Sequence, residues 1–262
     1  MISTENPYEA GRPQLLLMIM ICAVLLGGTG CIEMTHDLRV SRDGSAVYRL
    51  QYAITESAIS QFKALDTLAR DMAYAEGRSA GGLVLDPLLR VFLDPRDDAL
   101  AAALEPYKEA GLVIDELRVR SRDARRQVDM RVSVRDLRLL EDTGFFQAHG
   151  FELRSEGGGR YSFRRHPLID EALWAGIDVD AESRRQLEPL LGGFRCAVNV
   201  TVPGRITSST AHRTRLQTAT WEYDFATMPD VLLRLQKQAF RVVFDGVEGT
   251  IPDVSYDGPP AR

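Results

Sequence analysis

From Glu33 onward polar and apolar positions alternate. Met34, Leu38 and Val40 fall in one row with His36 among them, and Glu33, Thr35, Asp37 and Arg39 fall in the other. A period of two is that of a strand with one buried face. Asp43-Gly44 supplies a turn, after which Ala46, Tyr48, Leu50, Tyr52 and Ile54 form a second apolar row, so the two segments predict a hairpin. The period then changes. Ile59, Phe62, Leu65, Ala69 and Met72 recur at helical spacing, with Thr55 placed as N-cap, Ile54 and Ile59 as a hydrophobic staple, and Gly77 just past the end.

The same two periods organise the remainder. Asp94-Pro95 opens a second helical stretch with Asp97 and Asp98 near its positive end, bent at Pro106 and ended at Gly111. A second hairpin runs from Leu112 to Arg120, through a turn at Arg122-Asp123-Ala124, and back from Gln127 to Arg135 with Val128, Met130, Val132 and Val134 inward. A short helix is expected over 136–143. A third hairpin follows: Phe151 and Leu153, the turn Gly157-Gly158-Gly159, then Tyr161 and Phe163. The stretch 167–180 reads as a loop or linker and 181–191 as a short helix closed by Gly192-Gly193. Phe194 to Val202 predicts a strand halted by Pro203-Gly204. Thr218 to Phe225 predicts another, with Ala219, Trp221, Tyr223 and Phe225 on one face. Thr227 and Asp230 resemble a capping box before a helix through Gln238, and Phe240, Val242 and Phe244 suggest a last strand. Hairpins separated by single helices, without regular strand–helix alternation, predict an α+β fold: a mainly antiparallel sheet with helices packed on one face.

The first thirty residues have a different character. A polar stretch whose one cationic side chain is Arg12 precedes an unbroken apolar run from Leu15 to Leu26, then Gly27-Gly28-Thr29-Gly30 and Cys31. The run is short for a membrane span, which needs roughly 20 residues, and suits the core of a signal peptide. Small residues directly before a Cys are the end of a bacterial lipoprotein signal, although Gly28 stands where such signals usually carry Leu. Ordinary signal peptidase also accepts Gly28-Thr29-Gly30. Both readings cut between Gly30 and Cys31, and in the first Cys31 carries the lipid. The expected organisation is a signal peptide over 1–30, one α+β domain over 31–250 anchored at its first residue, and a flexible tail over 251–262.

Composition narrows the function classes. The chain has 262 residues, 45% of them hydrophobic, enough for one sizeable core. A net charge of −5 gives no basic field for nucleic acid. Of the three cysteines, Cys22 is expected to leave with the leader, and on the lipoprotein reading Cys31 takes lipid and only Cys196 remains. Cys196 sits on the apolar row of its strand as a buried, inert thiol, so a disulfide framework is not expected.

Candidate chemistry is sparse. His36, His149, His166 and His212 lack partners at metal-ligand spacing. No Gly-x-Ser-x-Gly elbow or Ser-x-x-Lys occurs, and Gly157-Gly158-Gly159 lacks the strand-to-helix setting of a phosphate loop. Asp180 reads as an N-cap rather than as one of a pair of acids with Asp178. The second hairpin is rich in arginine: Arg118, Arg120, Arg131 and Arg135, with Arg122, Arg125 and Arg126 about the turn, and Arg160, Arg164 and Arg165 in the next hairpin. One reading is a patch for anionic headgroups or a polyanionic wall polymer, each basic residue contributing about 1 kcal/mol near an anionic membrane. The other is a solvated face on which Asp115, Glu116, Asp123 and Asp129 cancel the charge.

The Cys31 start, the hairpin turning at Asp43-Gly44, the helix after it, the Val202-Pro203-Gly204 strand end and the Ala219-Thr220-Trp221 strand together resemble the LppM-type bacterial lipoproteins. Many members carry a C-terminal transmembrane helix, a segment not seen in this sequence. The resemblance implies an envelope protein that binds lipid or cell-wall material. The expectation is therefore a lipid-anchored, non-enzymatic cell-envelope protein without cofactor or metal. It binds a lipid, wall component or protein partner at the membrane surface and has no nucleic-acid partner. The alternatives are an assembly lipoprotein acting through protein contacts alone and, further off, a hydrolase with an unrecognised site.

Overall fold

The alternation after Glu33 becomes β1 (Ile32–Val40) and β2 (Ala46–Thr55), an antiparallel pair in which Ile32, Met34, His36, Leu38 and Val40 stand opposite Ile54, Tyr52, Leu50, Tyr48 and Ala46. One face of the pair is apolar except for His36, as a single register requires. The computed structural model describes residues 32–75, 91–140, 151–165, 192–228, 230–231, 234–235 and 238–246.

Helix α1 (Glu56–Ala75) follows β2 directly. Thr55 caps it as expected, its Oγ1 accepting from the Ala58 amide at 3.1 Å, and the staple residues Ile54 and Ile59 are both buried. Helix α2 (Asp97–Leu104) ends in a 3₁₀ turn at Glu105–Tyr107, where Pro106 cannot continue the α-helical ladder. The Asp97 carboxylate accepts from the Val119 amide at 2.8 Å, so the helix start occupies a backbone donor on β3 (Leu112–Arg122), an edge strand. The turn into β4 (Arg125–Val134) is tighter than expected. Arg122 pairs with Arg125, and Asp123 and Ala124 alone make the turn, both with positive φ (52° and 55°). That two-residue geometry matches the right-handed strand twist.

Two corrections fall outside the hairpins. The helix expected over 136–143 is a 3₁₀ turn at Leu137–Leu140, tied to the first hairpin by the Leu137 amide donating to the Gly44 carbonyl at 2.9 Å; residues 141–150 lie outside the described part. The capping box at Thr227 is displaced: the Thr227 hydroxyl donates to the Asp224 carbonyl, and the Asp224 carboxylate takes the Ala226 amide. The strand ends on Asp224, whose carbonyl also takes the Thr227 and Met228 amides.

The third hairpin is β5 (Phe151–Gly157) and β6 (Arg160–Arg165). Later strands are β7 (Arg195–Thr201), β8 (Ile206–Ser209), β9 (Arg213–Arg215), β10 (Thr218–Asp224) and β11 (Phe240–Asp245). β8 and β9 have no counterpart in the sequence reading, because Thr-Ser-Ser and Arg-Thr-Arg carry no apolar period. The strands form two sheets. The larger has the order β3-β4-β2-β1-β7-β10-β9, antiparallel except for β1 against β7; the smaller has the order β5-β6-β11-β8 and is antiparallel throughout. The architecture is thus α+β with mainly antiparallel sheet, and the covered face of the large sheet is shared between helices and a second sheet.

The chain crosses between sheets at Pro203-Gly204. Gly204 is buried there with no room for a side chain, since a Cβ would fall 1.6 Å from the Asp245 carbonyl oxygen. The sheets meet at Trp221 and Phe240, whose rings pack edge to face with centroids 4.8 Å apart. The Trp221 indole donates to the Thr210 carbonyl at 3.0 Å, closing the same seam.

A cleft between the two covering layers

Register assigns the inner face of the large sheet to three rows. Tyr52, Met34, Cys196 and Tyr223 form one, Leu50, His36, Val198 and Trp221 the next, and Tyr48, Leu38, Val200 and Ala219 the third. Towards β10 this face is roofed by the small sheet, and Trp221 and Tyr223 are buried. Towards β2 it is roofed by the helices: Ala58 and Ile59 are buried, and the Tyr52 hydroxyl donates to the Phe92 carbonyl at 3.0 Å. Central strands of a covered sheet should be the most buried. Here Met34, His36, Val198 and Tyr48, adjacent in the middle of the face, are only half-buried. They lie between the part of the face covered by the small sheet and the part covered by the helices, on β1, β2 and β7.

The polar groups of this part of the face come from different elements. The Tyr48 hydroxyl and His36 Nδ1 lie 2.6 Å apart. Burial pushes the Tyr48 phenol far above its ordinary pKa, so it stays protonated, and the hydrogen bond joins it to the imidazole with the donor set by the His36 tautomer. Burial likewise raises Tyr223, whose hydroxyl donates to Gln238 Oε1 at 2.9 Å. The Cys196 thiol is pushed up to about 12 by burial and stays protonated and inert at neutral pH.

Arg165 belongs to the small sheet. Period two carries the inward row of β6 from Tyr161 through Phe163 to Arg165, and Arg165 pairs with Phe240 of β11. Only 9% of the residue is exposed. Its Cζ sits 4.7 Å from the centroid of the Phe240 ring, and Nη2 donates to the Leu235 carbonyl at 3.2 Å. Burial lowers its pKa, while Tyr223, Cys196 and Tyr48 are the titratable groups whose electrostatics it feels. No carboxylate among the described residues pairs with it. Several other arginines are matched: Arg49 with Asp129, Arg126 with Glu56 and Asp94, Arg138 with Asp136, Arg213 with Glu222. An uncompensated buried ion costs several kcal/mol even after relaxation. A desolvated cation–π contact returns about 2 kcal/mol and a charged hydrogen bond to a carbonyl about 1.5–3 kcal/mol, so the site tolerates the charge without neutralising it.

The arginines singled out in the sequence lie elsewhere. Arg118 and Arg131 project from the opposite face of the large sheet, where Arg118 meets Glu116 at 3.0 Å and Arg131 meets Asp115 at 3.7 Å. Arg120 is exposed on the same face as Arg118, and Arg135 is exposed just past β4. Asp129 accepts two hydrogen bonds from Arg49 on this face, making a ladder of alternating charge. Gly30 and Cys31 lie outside the described residues, but β1 begins at Ile32, one residue beyond Cys31. Arg165 counted in the sequence only as added charge. Its signal was the same alternation that placed Tyr161 and Phe163 inward.

No group of three or more side chains suited to a metal occurs among the described residues, and no helix among them is long and apolar enough to cross a membrane. No family model and no curated protein matches the sequence. Among solved structures the chain is similar to the folded domain of the Mycobacterium tuberculosis LppM protein, determined by NMR. The TM-score is 0.36 and the identity 11%, over 85% of this chain and 94% of that one. That likeness is distant; the chemistry of the cleft belongs to its own residues.

Proposed function

We propose that the protein is exported, carries lipid on Cys31, and holds an apolar ligand in the cleft above β1 and β7 at the membrane surface, binding it without chemistry. The half-open inner face at Met34, His36, Val198 and Tyr48 carries this reading, because a covered sheet otherwise seals its central strands. Concave, mostly apolar space with a few convergent polar groups is the common form of a small-molecule site. The one thiol of the cleft is held protonated by burial, which favours binding over covalent catalysis.

The start of β1 supports the location. A residue lipidated at Cys31 has no linker before the sheet, so the Ile32 end of β1 would rest at the bilayer. Two or three acyl chains, at roughly 0.8 kcal/mol per buried methylene, hold it there. Met34, the first cleft residue, then lies about 7 Å along the strand from Ile32. An assembly protein working through flat apolar contacts would instead show a contiguous exposed patch. The large exposed apolar side chains among the described residues stand apart in the chain, Val113 on β3, Leu139 on the 3₁₀ turn at Leu137–Leu140 and Leu216 in the turn after β9.

Mass spectrometry of the mature N-terminus tests the anchor. The wild-type chain should begin at Cys31 with acyl-glyceryl mass added, and Cys31→Ser should lose that mass. An unmodified wild-type Cys31 contradicts the anchored reading. For the cleft, the full chain should take up a fluorescent alkyl probe in competition with lipid, and failure to do so removes the ligand-binding reading.

A further inference from the structure

Arg165 is a built feature to which no described carboxylate is paired. Nine-tenths buried, it is stacked on Phe240, whose ring also meets Tyr223 at 6.3 Å, and it interacts electrostatically with Tyr223, Cys196 and Tyr48. A fold that required only bulk here would place Leu or Met on the Tyr161–Phe163–Arg165 row, without burying a charge. The side chain gives up one donor to the Leu235 carbonyl, whereas a guanidinium carries five. A planar fork with donors to spare matches the oxygens of a carboxylate or phosphate. Its charge acts on Tyr48, which is hydrogen-bonded to His36, and Met34 and Val198 flank His36 on the same face as apolar side chains without charge.

Resting on the cleft reading above, we infer that the ligand is an anionic amphiphile: its acidic headgroup sits on Arg165 with the Tyr48 and His36 polar groups beside it, and its alkyl chain lies over β1 and β7. A carboxylate and a phosphate monoester share the chemistry that Arg165 selects. A neutral lipid of equal length leaves the guanidinium unmatched.

The test uses the full chain exported with Cys31→Ser, which avoids detergent, and measures displacement of a fluorescent alkyl probe. Four competitors are compared: dodecanoate, dodecyl phosphate, dodecanol, and acetate with inorganic phosphate as headgroups without chains. Wild type should bind at least one dodecyl anion tenfold or more tightly than dodecanol, and the short anions weakly. Whether dodecanoate or dodecyl phosphate binds tighter separates the two headgroup sources. Arg165→Gln should bring the anions to the affinity of dodecanol while dodecanol itself is unchanged, and Arg165→Lys should keep part of the preference. Equal affinity for anion and alcohol in wild type overturns the anionic assignment and leaves the apolar cleft standing. Binding of none of the dodecyl compounds overturns both. A preference for anions that survives Arg165→Gln places the headgroup elsewhere and also overturns the assignment.

Thermal unfolding without ligand supplies the second readout. Arg165→Met removes an unmatched buried charge at similar volume, so its midpoint should equal or exceed that of wild type. A purely structural Arg165 predicts a lower midpoint, and that outcome overturns the assignment.

Discussion

Truncating Phe240 to Ala removes the residue on which the cleft is hinged. Phe240 is 1% exposed, and its ring meets Trp221 edge to face at 4.8 Å, Tyr223 at 6.3 Å and the Arg165 guanidinium at 4.7 Å. Loss of a fully buried Phe costs about 3–5 kcal/mol through transfer and the cavity left behind. An aromatic pair adds about 1 kcal/mol beyond its buried area, and Arg165 loses a cation–π contact of up to about 2 kcal/mol. Because these contributions overlap, the expected loss is about 4–5 kcal/mol, a large fraction of the roughly 5–15 kcal/mol that holds a domain together. Urea unfolding monitored by circular dichroism reads this directly. With a slope of about 2.5 kcal/mol/M the midpoint falls by about 1.6–2 M. Phe240→Leu keeps most of the volume and should lose less than half as much. A loss below about 1.5 kcal/mol for the Ala variant would mean that the small sheet is not packed against the large one, and the cleft would have no second wall.

Other consequences can be measured independently. Gly204→Ala forces a methyl into the Asp245 carbonyl at the crossing between sheets, so it should cost at least about 3 kcal/mol or abolish folding; a neutral effect in the same urea assay contradicts the crossing geometry. Cys196, raised to about 12 by burial, should resist iodoacetamide at pH 7.5 in the native chain and react fully in urea, and rapid native labelling would show that the inner face is open to water at that point. Asp129 is held below the ordinary carboxylate range by hydrogen bonds from Arg49, so its contribution is present above the unfolded pKa near about 4 and is lost as pH falls through the folded value. Both partners are about one-third or more exposed, so the pair is worth less than about 1 kcal/mol. Asp129→Asn should flatten the acid limb of the stability profile by that small amount, and an unchanged acid limb refutes the assignment.

The parts of this fold visible in the sequence are those whose signal is local. Thr55 before an apolar helical period, Asp43-Gly44 between two alternating runs and Gly157-Gly158-Gly159 before Tyr161 each specify an element within a few residues. The β1–β7 pairing joins Met34 to Cys196 across most of the domain, and nothing near either residue announces it. Division into two sheets is hidden for the same reason: Trp221 and Phe240 both read as inward, yet the alternation does not say that they face each other from different sheets. β8 and β9 are short and polar, held by their neighbours rather than by a buried face of their own.

The candidate site shows the same division. Arginines clustered in sequence, such as Arg118 and Arg131, were conspicuous, and the structure sets carboxylates beside them. Arg165 was inconspicuous at the end of a basic run. Its environment comes from β2, β7 and β10, between 30 and about 120 residues away along the chain, so only the inward parity of its strand was legible.

The central claim is that the gap between helices and small sheet is a ligand site on the inner face of the large sheet. Photo-crosslinking with a diazirine-bearing alkyl carboxylate, followed by peptide mass spectrometry, tests it most directly. The label should fall on β1 and β7, at Met34, His36 or Val198, and be lost to excess dodecanoate. Label confined to the outer face about Arg118 and Arg131, or to the exposed turn at Leu216, would contradict it.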